Sequence, residues 1–121
     1  MIVVLNLFDL IPGKEAQYAE YLRRVQPILD RFGAKCLLYG LTKMVYMGPC
    51  TQQYCGLIAY KSLADLRKLS HDEEFAKIRP LRDNSTQNYI LTAIEDFQTM
   101  LHAAEYLEKG GNKSEPLDAT S

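Results

Sequence analysis

The chain has 121 residues, a length that fits a single domain. Apolar residues make up 47% of it, which is enough for one hydrophobic core and excludes disorder of the whole chain. The net charge is −1 and the 14 basic residues are scattered along the chain, so we expect no nucleic-acid partner.

No targeting or membrane segment is evident in the sequence. No stretch reaches the roughly 18 uncharged apolar residues of a membrane-spanning helix, and Met1–Leu5 lacks the basic start and cleavage site of a signal peptide. The three cysteines (Cys36, Cys50 and Cys55) have no zinc-like spacing with the two histidines. We therefore expect a cytoplasmic protein with reduced thiols, no metal site and no membrane partner.

The first two elements are a strand and a helix. Residues 2–10 are nearly all apolar, which predicts a central strand buried on both faces. From residue 14 to residue 32 the apolar positions recur every three or four residues, which predicts an amphipathic helix closed by Gly33. Pro27 lies inside this helix and should bend it, because proline lacks the backbone N–H donor.

The middle of the chain predicts a hairpin and a helical region. Strands are predicted at 34–47 and 51–61, joined in antiparallel fashion by a turn at Gly48-Pro49. Capping patterns that begin at Ser62 and Ser70 then predict two short helices with a bend near Ser70.

The end of the chain predicts one more strand and one more helix. The strand is expected at 85–97 and the short C-terminal helix at 98–109. Residues 110–121 are rich in glycine, serine and charge, which predicts a flexible tail.

This order of elements predicts a ferredoxin-like α+β domain over residues 1–97, with a four-stranded antiparallel sheet and both helices on one face. The first strand carries apolar residues on both faces. Leaving the uncovered face in water would cost on the order of 10 kcal/mol. We therefore expect two copies to pack sheet against sheet as a homodimer, and the alternative cover is the chain's own helix at 98–109.

Two segments carry a resemblance to a known superfamily. Residues 60–66 (Tyr-Lys-Ser-Leu-Ala-Asp-Leu) lead from a strand through a serine into a helix, and residues 70–79 begin Ser-His-Asp-Glu-Glu-Phe. With them, residues 2–97 resemble the dimeric α+β barrel superfamily, which includes antibiotic-biosynthesis monooxygenases, stress-responsive barrel proteins and uncharacterised families. The haem-degrading members combine a strand asparagine, which Asn6 matches, with a tryptophan that this chain lacks, so haem degradation is not expected.

Asn6 and His71 are the predicted catalytic residues. Asn6 interrupts an apolar strand, and a buried amide without partners costs about 1–3 kcal/mol. It either bonds a substrate or an oxygen intermediate, or it pairs with backbone or a buried water. His71 is the default acid–base group, although a histidine beside acids at a helix start is also an ordinary solvated residue.

Tyrosines on predicted strands are the candidates for substrate binding. Tyr39, Tyr54 and Tyr60 are chosen from a set that also contains Tyr46 and Tyr89. Their rings and phenol donors suit a planar, oxygenated ligand. The alternative is that they serve strand formation and interface packing, since tyrosine favours both.

Arg79 completes the predicted substrate-binding residues. Arg79 and Arg82 share one helical face and could clamp a ligand carboxylate, or form surface ion pairs instead. Cys36 and Cys55, on neighbouring strands, are expected to behave as small buried apolar residues.

These features, with the resemblance, predict a cofactor-independent enzyme of monooxygenase or isomerase type. Its substrate would be a small hydrophobic or aromatic molecule in a pocket between sheet and helices. No cofactor is expected, because phosphate-binding glycine loops and dinucleotide fingerprints are missing from the sequence. The alternatives are a non-catalytic dimeric module for a small ligand or a protein partner, and a structural assembly protein. A closed pocket between sheet and helices, with Asn6 and a tyrosine pointing inward, would favour the enzyme or the binding module, and a pocket filled by side chains would favour the assembly protein. A His71 side chain facing the pocket would favour catalysis, and one facing solvent would favour binding.

Overall fold

The computed structural model describes residues 1–111, so most of the predicted tail at 110–121 lies outside the described residues. The elements are, in chain order, β1 (Ile2–Leu10), α1 (Glu15–Arg31), β2 (Lys35–Leu41), β3 (Tyr54–Tyr60), α2 (Leu63–Ser70), α3 (Glu73–Asp83), β4 (Thr86–Glu95) and α4 (Met100–Glu108). The strands form one antiparallel sheet in the order β2-β3-β1-β4. The predicted ferredoxin-like α+β architecture is confirmed.

Helix α1 follows its predicted pattern. Its buried side chains recur at steps of one, three and four residues and face the sheet: Tyr18, Tyr21, Val25, Ile28 and Leu29. Pro27 lies inside the helix on its exposed side, so the missing N–H donor faces away from the core. Gly33 ends the helical segment with φ 69°, a conformation that favours glycine.

The second helical region is two helices, as predicted. The Ser62 side chain accepts from Asp65 N at 3.2 Å and caps α2. The cap of α3 is Asp72, which accepts from Phe75 N at 3.0 Å, and not Ser70. The Ser70 hydroxyl instead donates to the Leu66 carbonyl at 3.0 Å inside the last turn of α2.

The strand predicted at 34–47 ends early, at Leu41. Leu41 lies opposite Tyr54, and a bond from Thr42 N to Gln53 O at 2.8 Å closes the ladder. Beyond that point residues 43–53 form a connection, because β3 offers no further partner. Tyr46, predicted to lie on a strand, lies in this connection and is 90% exposed.

The core lies between the helices and one face of the sheet, called here the helix face. Phe8 of β1 is completely buried there, with Val4 on the same strand and Ile58 and Tyr60 from β3. Phe75 of α3 completes the cluster from the helix layer.

The opposite face of the sheet, called here the open face, is apolar and uncovered. Its larger apolar side chains are Val3, Leu5, Leu7, Leu38, Leu57, Ile90 and Ile94, as the alternation of the paired strands requires. Leu38 is 52% exposed and Ile94 is 45% exposed. Helix α4 does not cover this face, since none of its residues is buried and Met100 is 92% exposed. The alternative cover by the chain's own C-terminal helix is therefore wrong.

Candidate functional site

A row of aromatic rings crosses the helix face. Phe8 lies at its centre, stacked on Tyr54 of β3 with ring centroids 5.5 Å apart and on Tyr89 of β4 at 4.9 Å. Tyr18 of α1 lies 5.2 Å from Phe8, and Tyr39 of β2 lies 6.3 Å from it. The row fills the space between sheet and helices, so the enclosed pocket expected there from the sequence is occupied by side chains. Taken alone this favours the structural assembly protein, and a small-molecule site would have to lie in a cleft beside the row.

The hydroxyls of Tyr18 and Tyr39 are hydrogen-bonded to each other. Burial, together with the nearby Tyr39 and Tyr89 phenols, raises the pKa of Tyr18 far above its ordinary value. Desolvation likewise raises the pKa of Tyr39 to about 12. Both phenols therefore stay protonated at neutral pH. The Tyr89 hydroxyl also lies within hydrogen-bond reach of Tyr18. When Tyr18 donates to Tyr39, the O–H of the half-exposed Tyr39 is left to donate to a ligand oxygen.

Tyr18 and Tyr39 also line an apolar cleft at the β2 edge of the sheet, called here the tyrosine cleft. The cleft has a volume of about 330 Å³. Its walls come from the end of β1, from α1, and from β2 and β3: Leu10, Glu15, Tyr18, Ala19, Leu22, Tyr39, Gly40, Leu41 and Tyr54. Glu15, which is exposed, is the one carboxylate of that set.

Gly56 of β3 makes room for the Tyr39 ring. A Cβ at this position would lie 2.7 Å from Tyr39 Cε2 and 2.9 Å from Cδ2, closer than side-chain atoms approach. The Tyr39 ring therefore lies directly over the Gly56 backbone. This contact aims the Tyr39 hydroxyl at α1 and Tyr18.

Asn6 is buried on the helix face and is bonded within the protein. Its Oδ1 accepts from Tyr89 Oη at 2.7 Å. Its Nδ2 makes two long contacts, to the Val4 and Gly56 carbonyls at 3.4 Å each. Asn6 thus links β1, β3 and β4 beneath the aromatic row and lines neither cleft. Its predicted catalytic role stays a prediction. Its short bond goes to a tyrosine side chain, a partner that was not expected, and only the two long contacts match the alternative of backbone pairing.

A β-bulge sets the position of Tyr89. The pairing of β1 with β4 shifts register between Leu7 and Asp9, opposite Asn88, which has φ 54°. Asn88 Nδ2 donates to Asp9 Oδ2 at 3.0 Å, which fixes the bulge to β1. The extra residue lets both Thr86 and Tyr89 face the helices.

A second cleft, called here the β4 cleft, opens on the other side of the aromatic row, also with a volume of about 330 Å³. It lies between the end of α3 and the start of β4, and Arg82 and Tyr89 line it. The Arg82 side chain is only 17% exposed. Arg82 was considered with Arg79 as a clamp for a ligand carboxylate, but only Arg79 was chosen as a site residue, and Tyr18 was not predicted for the site.

The other predicted site residues lie apart from the two clefts. His71 is the exposed residue that caps the C-terminal end of α2, so it faces solvent. Tyr60 is 4% exposed and packs in the core near the other end of the sheet. Arg79 stacks on Phe75 at 5.6 Å and lines neither cleft. The structure thus brings together Tyr39 and Tyr54 but not His71, Tyr60 or Arg79.

The cysteines and acids form no metal cluster in residues 1–111. Cys36 is exposed, so the expectation that it is buried is wrong, because its strand is at the edge of the sheet with little helix cover. Cys55 is half-buried. Of the helices described, the longest has 17 residues, and none has the length and apolar character needed to cross a membrane.

Comparison with solved structures gives several similar proteins. A protein of unknown function from Rhodopseudomonas palustris superposes with a TM-score of 0.71 at 22% identity, covering 78% of this chain and 81% of that one. A dimeric ferredoxin-like protein of unknown function from Jannaschia sp. CCS1 gives 0.67 at 12% identity, covering 78% and 98%. A candidate antibiotic biosynthesis monooxygenase from Caulobacter crescentus CB15 gives 0.59 at 17% identity, covering 78% and 88%.

These similarities confirm the predicted resemblance at the level of fold. No match to the chain was found among curated proteins. A family model described as a domain of unknown function, DUF1330, matches residues 7–97, which is the span from β1 to the residues just after β4.

Proposed function

The chain belongs to the DUF1330 family, and we propose that it is a homodimer that binds a small, largely apolar molecule in the tyrosine cleft. The bound molecule carries an oxygen that accepts a hydrogen bond. The observation that supports this most directly is an apolar cleft whose lining includes Tyr18 and Tyr39, two residues with hydrogen-bonded hydroxyls. Apolar walls with one or two placed donors are the usual composition of a small-molecule site.

The hydroxyl pair supplies selectivity for an oxygenated ligand. A ligand of similar shape without the oxygen leaves the free O–H unpaired, which costs about 1–3 kcal/mol if the group is buried on binding. That difference corresponds to a preference of roughly tenfold or more. Tyr54 supports a planar ligand from the same side, because its ring belongs to the row centred on Phe8.

The test compares 1-tetralone with tetralin, which has the same ring system without the carbonyl. We expect the protein to bind tetralone about tenfold more tightly, as measured by chemical-shift titration. Tyr39→Phe should remove this preference, because tetralin then leaves no buried O–H unpaired and should bind more tightly than it binds the wild type. Tyr46→Phe is the matched control, since Tyr46 lies in the exposed β2–β3 connection. An equal preference in wild type and Tyr39→Phe would contradict the proposal. Tyr60→Phe, measured in the same way, tests the substrate-binding role predicted for Tyr60.

The homodimer is supported by the apolar open face. Each half-exposed leucine or isoleucine there gains about 1 kcal/mol on burial, so the set gains several kcal/mol per protomer. The Jannaschia neighbour is described as dimeric. Light scattering after size-exclusion chromatography should give twice the chain mass. Leu5→Lys should give a folded monomer, whereas Leu63→Lys, on α2, should stay dimeric; a monomeric wild type contradicts the dimer.

A second candidate function is a cofactor-independent enzyme of monooxygenase or isomerase type. It is favoured by the exposed Glu15 carboxylate, a possible proton acceptor, in the same cleft as two phenols that stay protonated. The Caulobacter neighbour is a candidate monooxygenase. Turnover of a phenol or ketone bound in the cleft, lost in Glu15→Gln, would support this function. The same assay on His71→Ala and Asn6→Ala tests the two residues predicted from the sequence.

A further inference from the structure

The β4 cleft is a second site with different chemistry from the tyrosine cleft. Its lining is mostly polar: Arg82, Asp83, Thr86, Gln87, Asn88, Tyr89 and Leu91. The aromatic row separates it from the tyrosine cleft, since Tyr89 lies on one side of Phe8 and Tyr54 on the other.

The guanidinium of Arg82 is held in a fixed orientation. It lies 5.6 Å from the ring centre of Tyr89 and 5.8 Å from that of Phe75. Its Nε donates to Asp83 Oδ1 at 3.0 Å. A long side chain held in this way loses little further entropy when a ligand binds, which is the main cost of using an arginine as an anchor.

The guanidinium has more donors than the protein uses. An arginine carries five N–H groups. Within residues 1–111 the only carboxylate paired with Arg82 is that of Asp83, and the Tyr21 hydroxyl accepts a further hydrogen bond from the guanidinium. The planar fork therefore retains donors for a second carboxylate.

The charge and shape of the cleft select the kind of anion. Arg82 is the only cation among the lining residues of the described chain, and Asp83 balances it, so the cleft suits a monoanion better than a doubly charged phosphate. Leu91, which is 53% exposed, and the Tyr89 ring provide apolar surface beside the charge. We propose that the β4 cleft binds a small organic carboxylate with an apolar body, anchored by Arg82.

Asp83 competes with this ligand. Its carboxylate is 54% exposed and bonds the same guanidinium, so a bound carboxylate meets it at close range. Asp83→Asn removes the charge repulsion, while its amide oxygen can still accept from Nε. The affinity for a carboxylate should therefore rise in Asp83→Asn, which is the opposite of what a merely structural ion pair predicts.

The test is a chemical-shift titration of the full chain with benzoate, with neutral benzamide as the matched probe. Benzoate should shift the signals of Tyr89 and Leu91, and benzamide should bind at least tenfold more weakly. Arg82→Gln should lower benzoate affinity tenfold or more, and Asp83→Asn should raise it severalfold. Arg79→Gln is the control, because Arg79 also stacks on Phe75 but lines neither cleft.

Three results would overturn the proposal. They are equal binding of benzoate and benzamide, unchanged benzoate affinity in Arg82→Gln, and shifts confined to Tyr54 and the tyrosine cleft. If Arg82→Gln fails to fold, Asp83→Asn decides, and an unchanged or lower affinity in that variant rejects the site. The proposal does not depend on the function assigned to the tyrosine cleft, whose Tyr39→Phe variant should bind benzoate normally.

Discussion

Replacing Gly56 by alanine should disrupt the Tyr18–Tyr39 pair. The new Cβ would lie 2.7 Å from the Tyr39 ring, whereas carbon atoms in contact lie about 3.5 Å apart, so the ring must move by about 0.8 Å or more. Tyr39 is on an edge strand and 40% exposed, so its ring can swing outward. That movement breaks the hydroxyl pair.

The loss of stability depends on whether the Tyr39 ring stays in place or swings outward. Keeping the ring in place overpacks the contact, which costs about 1–3 kcal/mol. Swinging it out loses a hydrogen bond worth about 1 kcal/mol and leaves the Tyr18 hydroxyl without its partner. We therefore expect Gly56→Ala to lower the free energy of unfolding by about 1–2 kcal/mol and to abolish the preference for tetralone over tetralin.

Gly40→Ala is the matched control on the adjacent strand. A Cβ at Gly40 has no atom within 4 Å, so this change should be neutral or stabilise by about 0.5–1 kcal/mol. Urea unfolding at a fixed protomer concentration, followed by tyrosine fluorescence, measures both variants, since the chain has no tryptophan. In the background Tyr39→Ala, Gly56→Ala should cost nothing. Equal stability of the two glycine variants would refute the reasoning.

Three more predictions concern stability. Desolvation raises the pKa of Tyr39 to about 12, while the phenol of the unfolded chain ionises near pH 10. The contribution of Tyr39 to stability should therefore be full below pH 10 and should fall as the pH rises towards 12. Urea unfolding at stepped pH should show a smaller fall in Tyr39→Phe. Asn6→Ala removes the acceptor of the Tyr89 hydroxyl and should lower the free energy of unfolding by about 1–3 kcal/mol. Adding Tyr89→Phe should restore part of this stability, as measured by thermal unfolding. A double variant that is no more stable than Asn6→Ala would contradict the bond. Asp72→Ala removes the cap of α3 and an ion pair with Arg31, and it should lower the free energy of unfolding in urea by about 1–2 kcal/mol. Glu74→Ala removes only the exposed second carboxylate paired with Arg31 and should be nearly neutral.

The helices and the strand order could be predicted because their signals are local. The spacing of apolar residues in α1 and the capping serine of α2 need no knowledge of the rest of the chain, whereas the cap of α3 was predicted at Ser70 and is Asp72. The end of β2 could not be predicted in this way. Met44–Met47 is as apolar as a strand, but the ladder with β3 stops at Leu41, and only the paired structure shows where the partner ends.

The candidate site was predicted only in part. Tyr39 and Tyr54 were identified because strand tyrosines are few and their phenols suit a ligand. The apolar spacing of α1 places Tyr18 in the core, and its ring does lie there. Its hydroxyl, however, bonds Tyr39, which is 21 residues away in the sequence, so the contact depends on how α1 packs on β2. Arg79 and Arg82 share a helical face, so spacing alone cannot tell which of them lines a cleft. The structure places Arg82 in the β4 cleft and Arg79 outside it, because of the way α3 ends against β4.

The place of β1 in the sheet has a consequence for synthesis on the ribosome. Asn6 of β1 lies opposite Leu91 of β4, so 85 residues must follow before that ladder can form. At about 5–20 residues per second, the first strand waits on the order of 5–15 s with one edge unpaired and apolar side chains in water. A nascent chain that ends before Thr86 can form a hairpin and three helices but cannot close its core. Such a chain is a natural client for chaperones that bind extended apolar segments.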